Sequence, residues 1–480
     1  MKLKNTIEGY GFEYNHKRFI LTLIFMLALV VGMSFLFGLP YYCTIGIGIL
    51  CILCCPSIIK AQYVWRYEQK RFEDVCIYIE QMLCSFQKQP KITLALKDTA
   101  AITDGKLNML INNVLDKINS ENNANIYEEA LGIIEKEYQC TRVKVLHRFF
   151  IKIERTGGDS AKAIQLLLND YYKWQERVYL FQKDRTNIKK YSVLGIVISI
   201  LILCINLAFK KYCDITSLPA YYITTTVFMC FSILFYMFSQ AKLNTNWLEP
   251  SADDARIVRD YCRAITTKNT HSASDFIVFF FFLVIGLGLI FIGYNFNQII
   301  FYVFGAITLI TAAMIPFVPT LNKKQSFKRT CVELRSAFSE WLRDVALNLQ
   351  YTTLENSIEQ SLELCPVVLK KPVEGLLEEI EQNPGKVEPY YNFLSDFNLI
   401  DIKSSVKMLY SISEIGGTQR DATLNHLVER NNIMIDKNDS EVRKTANAAL
   451  SYVILLPLMF ASIKLLADMV LFINTFIGSM

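Results

Sequence analysis

The chain has 480 residues, 52% of them apolar, and a formal net charge of +5. The apolar share and the positive mean hydropathy are too high for an ordinary soluble domain, and the slight basic excess is too small for a nucleic-acid binder. The 13 cysteines are scattered, many inside apolar runs, and read as reduced or buried thiols.

A helix needs roughly 20 apolar residues to cross a bilayer. Seven runs meet that length: 19–38, 41–59, 191–209, 221–240, 276–294, 299–319 and 449–473. About seventeen polar residues precede the first run and no small-residue cleavage site follows it, so it reads as a span and not a signal peptide. Gly38-Leu39-Pro40 marks a tight turn into the second run, making residues 1–59 an N-terminal segment plus a hairpin. Cys51, Cys54 and Cys55 fall inside that second run with no His or acid beside them. They read as small buried residues and not as a metal or redox site.

Residues 60–190 form a long polar block. Within it, Ala161, Ile164, Leu168, Tyr171, Trp174 and Val178 recur at three- and four-residue spacing, the pattern of one helix face. The stripe runs toward Lys189 and Lys190 and then into the third apolar run, so one continuous helix is expected there. Residues 191–240 make a second hairpin, with Asn206 as a polar marker explained by an interhelical hydrogen bond. A linker at 241–275 carries Glu249-Pro250 and Asp253-Asp254-Ala255-Arg256. The third hairpin, 276–319, turns at Tyr294-Asn295-Phe296-Asn297. A second polar block, 320–447, has Pro366, Pro372, Pro384 and Pro389 between its helical stretches, and residues 448–480 hold the last span.

Lys and Arg crowd one side of these spans: Lys17, Arg18, Lys60, Arg66, Lys70, Lys183, Arg185, Lys189, Lys190, Lys242, Lys323, Lys324, Lys328 and Arg329. Lys210 and Lys211 are the exception. The positive-inside rule makes the rich side cytoplasmic, placing the N-terminus inside and the C-terminus outside. The fold class expected is therefore an all-α integral membrane protein, with about seven transmembrane helices and two homologous cytoplasmic helical bundles.

The homology rests on a weak self-similarity at a shift of about 260 residues. Glu73 matches Glu333, and the helix start Thr93-Leu94 matches Thr353-Leu354. Glu154-Arg155-Thr156-Gly157-Gly158 matches Glu414-Ile415-Gly416-Gly417. Paired glycines between two helices suit a tight turn, because glycine reaches positive φ and permits close approach. A phosphate loop is the weaker reading, since no GK[ST] and no preceding strand occur. The acid upstream of the glycines reads as a partner for a basic residue.

A hydrophobic hairpin, a helical block, a late Glu-x(1–2)-Gly-Gly turn and a return to the membrane resemble the type II secretion F-domain superfamily. Within it, the order is most similar to the Tad/Flp pilus assembly platform proteins. The first half resembles the four-span B-type component. The second resembles the three-span C-type component, with Pro457 in its last span. Lys91 and Tyr351 stand where such domains often carry Gly. The resemblance implies a non-enzymatic platform in a bacterial cytoplasmic (inner) membrane. Its implied partners are a hexameric secretion ATPase, pilin-like substrates, other pilus or secretion machinery components, the lipid bilayer and further copies of the chain. It implies no nucleic acid and no cofactor.

No enzymatic constellation emerges from the residues. His16, His147, His271 and His426 are far apart, and no nucleophile elbow, Walker loop or dinucleotide fingerprint occurs. The sharpest polar feature is Lys464 with Asp468, four residues apart in the last span and so on one helix face. Charges in apolar spans are costly and often functional. Two readings stand: an intrahelical pair near the outer interface with Lys464 snorkelling, or a contact for an acid on a pilin-type helix. A polytopic transporter and a receptor or scaffold without a motor are the rival functions.

Overall fold

The computed structural model describes residues 2–12, 14–120, 125–157, 161–209, 215–248, 254–265, 318–414 and 418–478, and isolated positions between 279 and 313. Among these residues every regular element is helical. Two compact units partition the chain: Met1–Ser251 with Asp439–Met480, and Ala252–Asn438.

In the first unit, a short helix α1 (Lys2–Gly9) precedes α2 (His16–Leu36). Asn15 caps α2, its side-chain oxygen accepting from the amides of Lys17 at 3.0 Å and Arg18 at 3.3 Å. The helix stops where expected. Gly38 adopts φ +63, which lets the Leu39 amide turn back onto the Ser34 carbonyl at 2.9 Å. Helix α3 (Tyr41–Lys88) then runs 48 residues without a break, through Pro56. Its first half is apolar. Cys51, Cys54, Cys55, Ile58 and Ile59 share its buried face.

Helices α4 (Ile92–Ile102), α5 (Gly105–Ser120), α6 (Ile126–Tyr138) and α7 (Thr141–Thr156) complete the polar block with α3. Helix α8 (Ala161–Phe209) is 49 residues long and, as its periodicity predicts, passes continuously from the polar block into the apolar run. Of its stripe, Ile164, Tyr171 and Trp174 are buried, Leu168 and Val178 half-buried, and Ala161 exposed. Trp174 packs edge-on against Phe72 of α3 at 5.2 Å, and Phe86 packs at a tilt against Phe150 of α7 at 4.2 Å. Arg142 of α7 lies 5.1 Å over the Trp174 ring and forms an ion pair with Asp170 of α8.

Helix α9 (Pro219–Lys242) completes the second hairpin. The long terminal helix, Thr418–Gly478, carries an apolar stretch at Leu455–Ile473. Among the described residues five helices are thus long and apolar enough to cross a membrane, and the chain is a multi-pass membrane-associated protein. The expected spans at 276–294 and 299–319 lie largely outside the described residues. Val30, Ile47, Cys51, Leu203, Phe228, Met229 and Ala461 bring all five described spans into one apolar core. Their outer faces, such as Leu21, Phe35, Leu53 and Leu201, are exposed, as lipid contact requires. Hydroxyls within the spans fold back onto their own helix: Thr225 donates to the Tyr221 carbonyl at 2.7 Å and Ser199 to that of Gly195 at 2.7 Å.

The second unit holds α10 (Asp254–Ile265), α11 (Val318–Asn348), α12 (Leu354–Ser361), α13 (Val367–Gln382), a short α14 (Glu388–Asn392) and α15 (Ile400–Glu414). The terminal helix, labelled α16, contributes its first turns. Trp341 centres this core. It is fully buried, stacks on Phe393 at 5.9 Å, and donates its indole N–H to Ser361 Oγ at 2.8 Å. Trp341→Ala should cost about 3–5 kcal/mol through the cavity it leaves. Limited proteolysis of the full chain in detergent under rising urea is expected to show the second unit cleaved at markedly lower denaturant.

Candidate functional site

The last span presents Pro457, Ala461, Lys464 and Asp468 on its buried face, at alternating four- and three-residue spacing. Phe460 stacks nearly parallel on Phe231 of α9 at 3.7 Å. Four residues further along, the Lys464 ammonium donates to the Asp468 carboxylate and lies 4.5 Å over the ring of Tyr221, at the start of α9. Lys464 is 5% exposed and Asp468 1%. Snorkelling therefore does not describe Lys464. Its charge stays inside the bundle, balanced by a carboxylate one turn away and by an aromatic face. The pair sets a fixed dipole on the buried face of α16, against the Tyr221 ring of α9. Asn206 lies in α8, but its side chain is outside the description.

The glycine turn of the first block is a structural joint. Gly157 ends α7 with φ +67. Glu154, one turn earlier, takes a backbone amide where a basic partner was expected. Its carboxylate accepts from the Ile92 amide at 2.9 Å and from the Tyr127 hydroxyl at 3.0 Å. It thereby satisfies an orphan donor at the start of α4, the helix whose Thr93-Leu94 start belongs to the same repeat. Two sequence markers 62 residues apart meet at one helix end. Lys91 at that end is extended, with φ −131, a conformation open to any residue, so no glycine is needed there. In the second block, Glu414 is exposed and accepts from the Tyr410 hydroxyl within its own helix. Gly158, Gly416 and Gly417 lie outside the described residues.

The structure also assembles a cluster that sequence spacing did not reveal. His147 of α7 is 1% exposed, with Nε2 2.8 Å from the Tyr78 hydroxyl of α3 and Nδ1 2.8 Å from Glu135 of α6. The consistent arrangement has Tyr78 donating to Nε2, and Nδ1–H donating to the carboxylate. This carboxylate–imidazole–phenol chain closes the block's core and opens onto no substrate space at its phenol end, because Tyr78 is fully buried. Its partners come from 69 and 12 residues away, so no local pattern around His147 marks it.

Family models, curated proteins and solved structures compared with this chain give no match.

Two outcomes follow from this geometry. Lys464→Met leaves Asp468 buried without its ammonium and should cost about 3–5 kcal/mol, whereas the double variant Lys464→Met/Asp468→Leu should recover most of it. Thermal unfolding in detergent reads both. For His147, burial outweighs the neighbouring Glu135 and lowers the folded-state value below 6.5. The unfolded chain then binds a proton that the folded chain refuses. Stability is therefore unaffected above about pH 7 and falls as pH drops below about 6.5. His147→Gln should flatten unfolding midpoints between pH 7 and 5.5, in which range the native protein loses stability.

Proposed function

We propose that the chain is a non-enzymatic membrane platform whose polar blocks receive force from a cytosolic ring ATPase of the secretion type, and whose spans handle pilin-like helical subunits. The observation that carries this reading is the continuity of α3 and α8. Each is rigid hydrogen-bonded backbone running from the polar block's core into the apolar core, so tilt or rotation applied to the block reaches the spans directly. Pro56 lies within α3, and the helix continues through it without a break.

A duplicated architecture supports the same reading. In the first unit α3, α4, α5, α6, α7 and α8 follow in order; in the second, α11, α12, α13, α14, α15 and α16 do. Ile92 and Leu354, Gly105 and Val367, and Ile126 and Glu388 begin corresponding helices at one common shift of 262 residues. Each half ends in a long helix carrying an apolar stretch. We read these as two copies of one module within a seven-span chain, in a bacterial inner membrane with both blocks cytoplasmic. On this reading the C-terminus lies outside. The buried Lys464–Asp468 pair is where an acid on a substrate helix exchanges into the bundle. That pair is also the one observation favouring a transporter. Against it, the described spans are unbroken helices, where transporters build substrate sites from discontinuous ones.

The test places photo-crosslinking residues at exposed Met109 in α5 and Ile400 in α15, and adds a purified hexameric ATPase of the secretion type. Crosslinks at both positions, lost when the ATPase is omitted from the membranes and replaced by an unrelated hexameric ATPase, are expected. Absence of any block-dependent crosslink contradicts the motor coupling.

A further inference from the structure

Where α3, α8 and α9 leave the apolar core toward the polar block, aromatic rings form a collar. Trp65 of α3 meets Trp247, just past α9, edge-on at 5.0 Å, and Phe181 of α8 meets the same Trp247 at 5.7 Å. Two cations one turn apart on α8 rest on this stack. The Arg185 guanidinium lies 4.9 Å over Phe181, and the Lys189 ammonium 3.6 Å over Trp65. Like charges at this spacing repel.

Neither cation has a carboxylate partner among the described residues. Lys189 makes one hydrogen bond, to Asn244 Oδ1 at 3.2 Å, and Asn244 is itself fixed to the Ala61 carbonyl at 2.8 Å. Arg185, half-buried, has no acceptor among the described residues. Trp247 is 3% exposed, and its indole N–H has no acceptor either. The polar block behaves differently. There Arg71 pairs with Glu68, Lys106 with Glu137, Lys117 with Glu129 and Arg142 with Asp170. At the collar, among the described residues, the two cations have no such carboxylate and the Trp247 N–H has no acceptor, at the depth where lipid headgroups sit. Directly beyond Lys189, α8 exposes Leu194, Val197, Ile198 and Leu201, an apolar stripe along which acyl chains can lie.

We propose that Arg185 and Lys189, backed by the Phe181–Trp247–Trp65 stack, bind the phosphate of an anionic phospholipid, whose charge relieves their repulsion. Phosphate accepts several charge-assisted hydrogen bonds at once, which carboxylates of the chain do not supply here. A small movement of the headgroup into the stack would bring the Trp247 N–H into the same site.

The experiment uses the full chain purified in detergent. Native mass spectrometry counts retained phosphatidylglycerol against phosphatidylcholine, with inorganic phosphate as a separate arm. The native protein should retain one phosphatidylglycerol in preference to phosphatidylcholine, with Arg185→Gln/Lys189→Gln weakening retention about tenfold. Lys60→Gln/Lys183→Gln, which removes the same charge from exposed positions, should leave it unchanged. Trp247→Phe preserves packing and charge, and serves where the double variant does not fold; it should weaken retention measurably. Equal retention of the two lipids, equal loss in the control variant, or undiminished retention in both site variants overturns the proposal. Displacement of the lipid by millimolar inorganic phosphate also overturns it, by making the site one for a free anion.

Discussion

The organisation of the chain follows from one constraint: inside a bilayer, backbone polar groups have no water to bond, so the chain must cross as unbroken helix. In α3 and α8 that continuity persists well past the apolar run. The same two helices supply Phe72, Tyr78, Phe86, Tyr171 and Trp174 to the core of the polar block. The block is thus packed around extensions of the spans and is not hung from them by a linker. The Phe72–Trp174 contact joins the two extensions, and the Arg142–Asp170 pair ties α8 to α7.

Charge is handled in three ways that track depth. In the polar block, cations pair with nearby carboxylates at half-exposed positions, each contributing little. In the apolar core, Lys464 is tolerated only because Asp468 and Tyr221 enclose it. At the collar, Arg185 and Lys189 rest on aromatic faces and leave donors open.

Much of this architecture is legible in sequence because it is written locally. Apolar run length gives the five described spans, Gly38 gives the first turn, and the three-and-four periodicity from Ile164 to Trp174 gives the continuity of α8. The i, i+4 spacing of Lys464 and Asp468 gives their pairing. What sequence hides is contact across distance. Glu154 reads as a partner for a cation, yet it caps α4 through Ile92, 62 residues earlier. His147 reads as isolated until α3 and α6 fold around it. Tyr221 gives no local sign that it will cover Lys464. Left-handed backbone at Gln139, Leu394 and Asn398 is equally invisible, since only Asn among these favours that region. In each case the tertiary partner decides, and no neighbouring residue announces it.

The central claim is that span and polar block are one rigid helical body. Spin labels at Ser57 and Gln87, both exposed on α3 and on either side of the collar, test it directly. Continuous helix separates them by about 45 Å at 1.5 Å per residue, and pulsed electron–electron distance measurement in lipid nanodiscs should give a single narrow peak there. A broad distribution, or a peak shifted well below that distance, would show a joint between membrane and block and contradict the account.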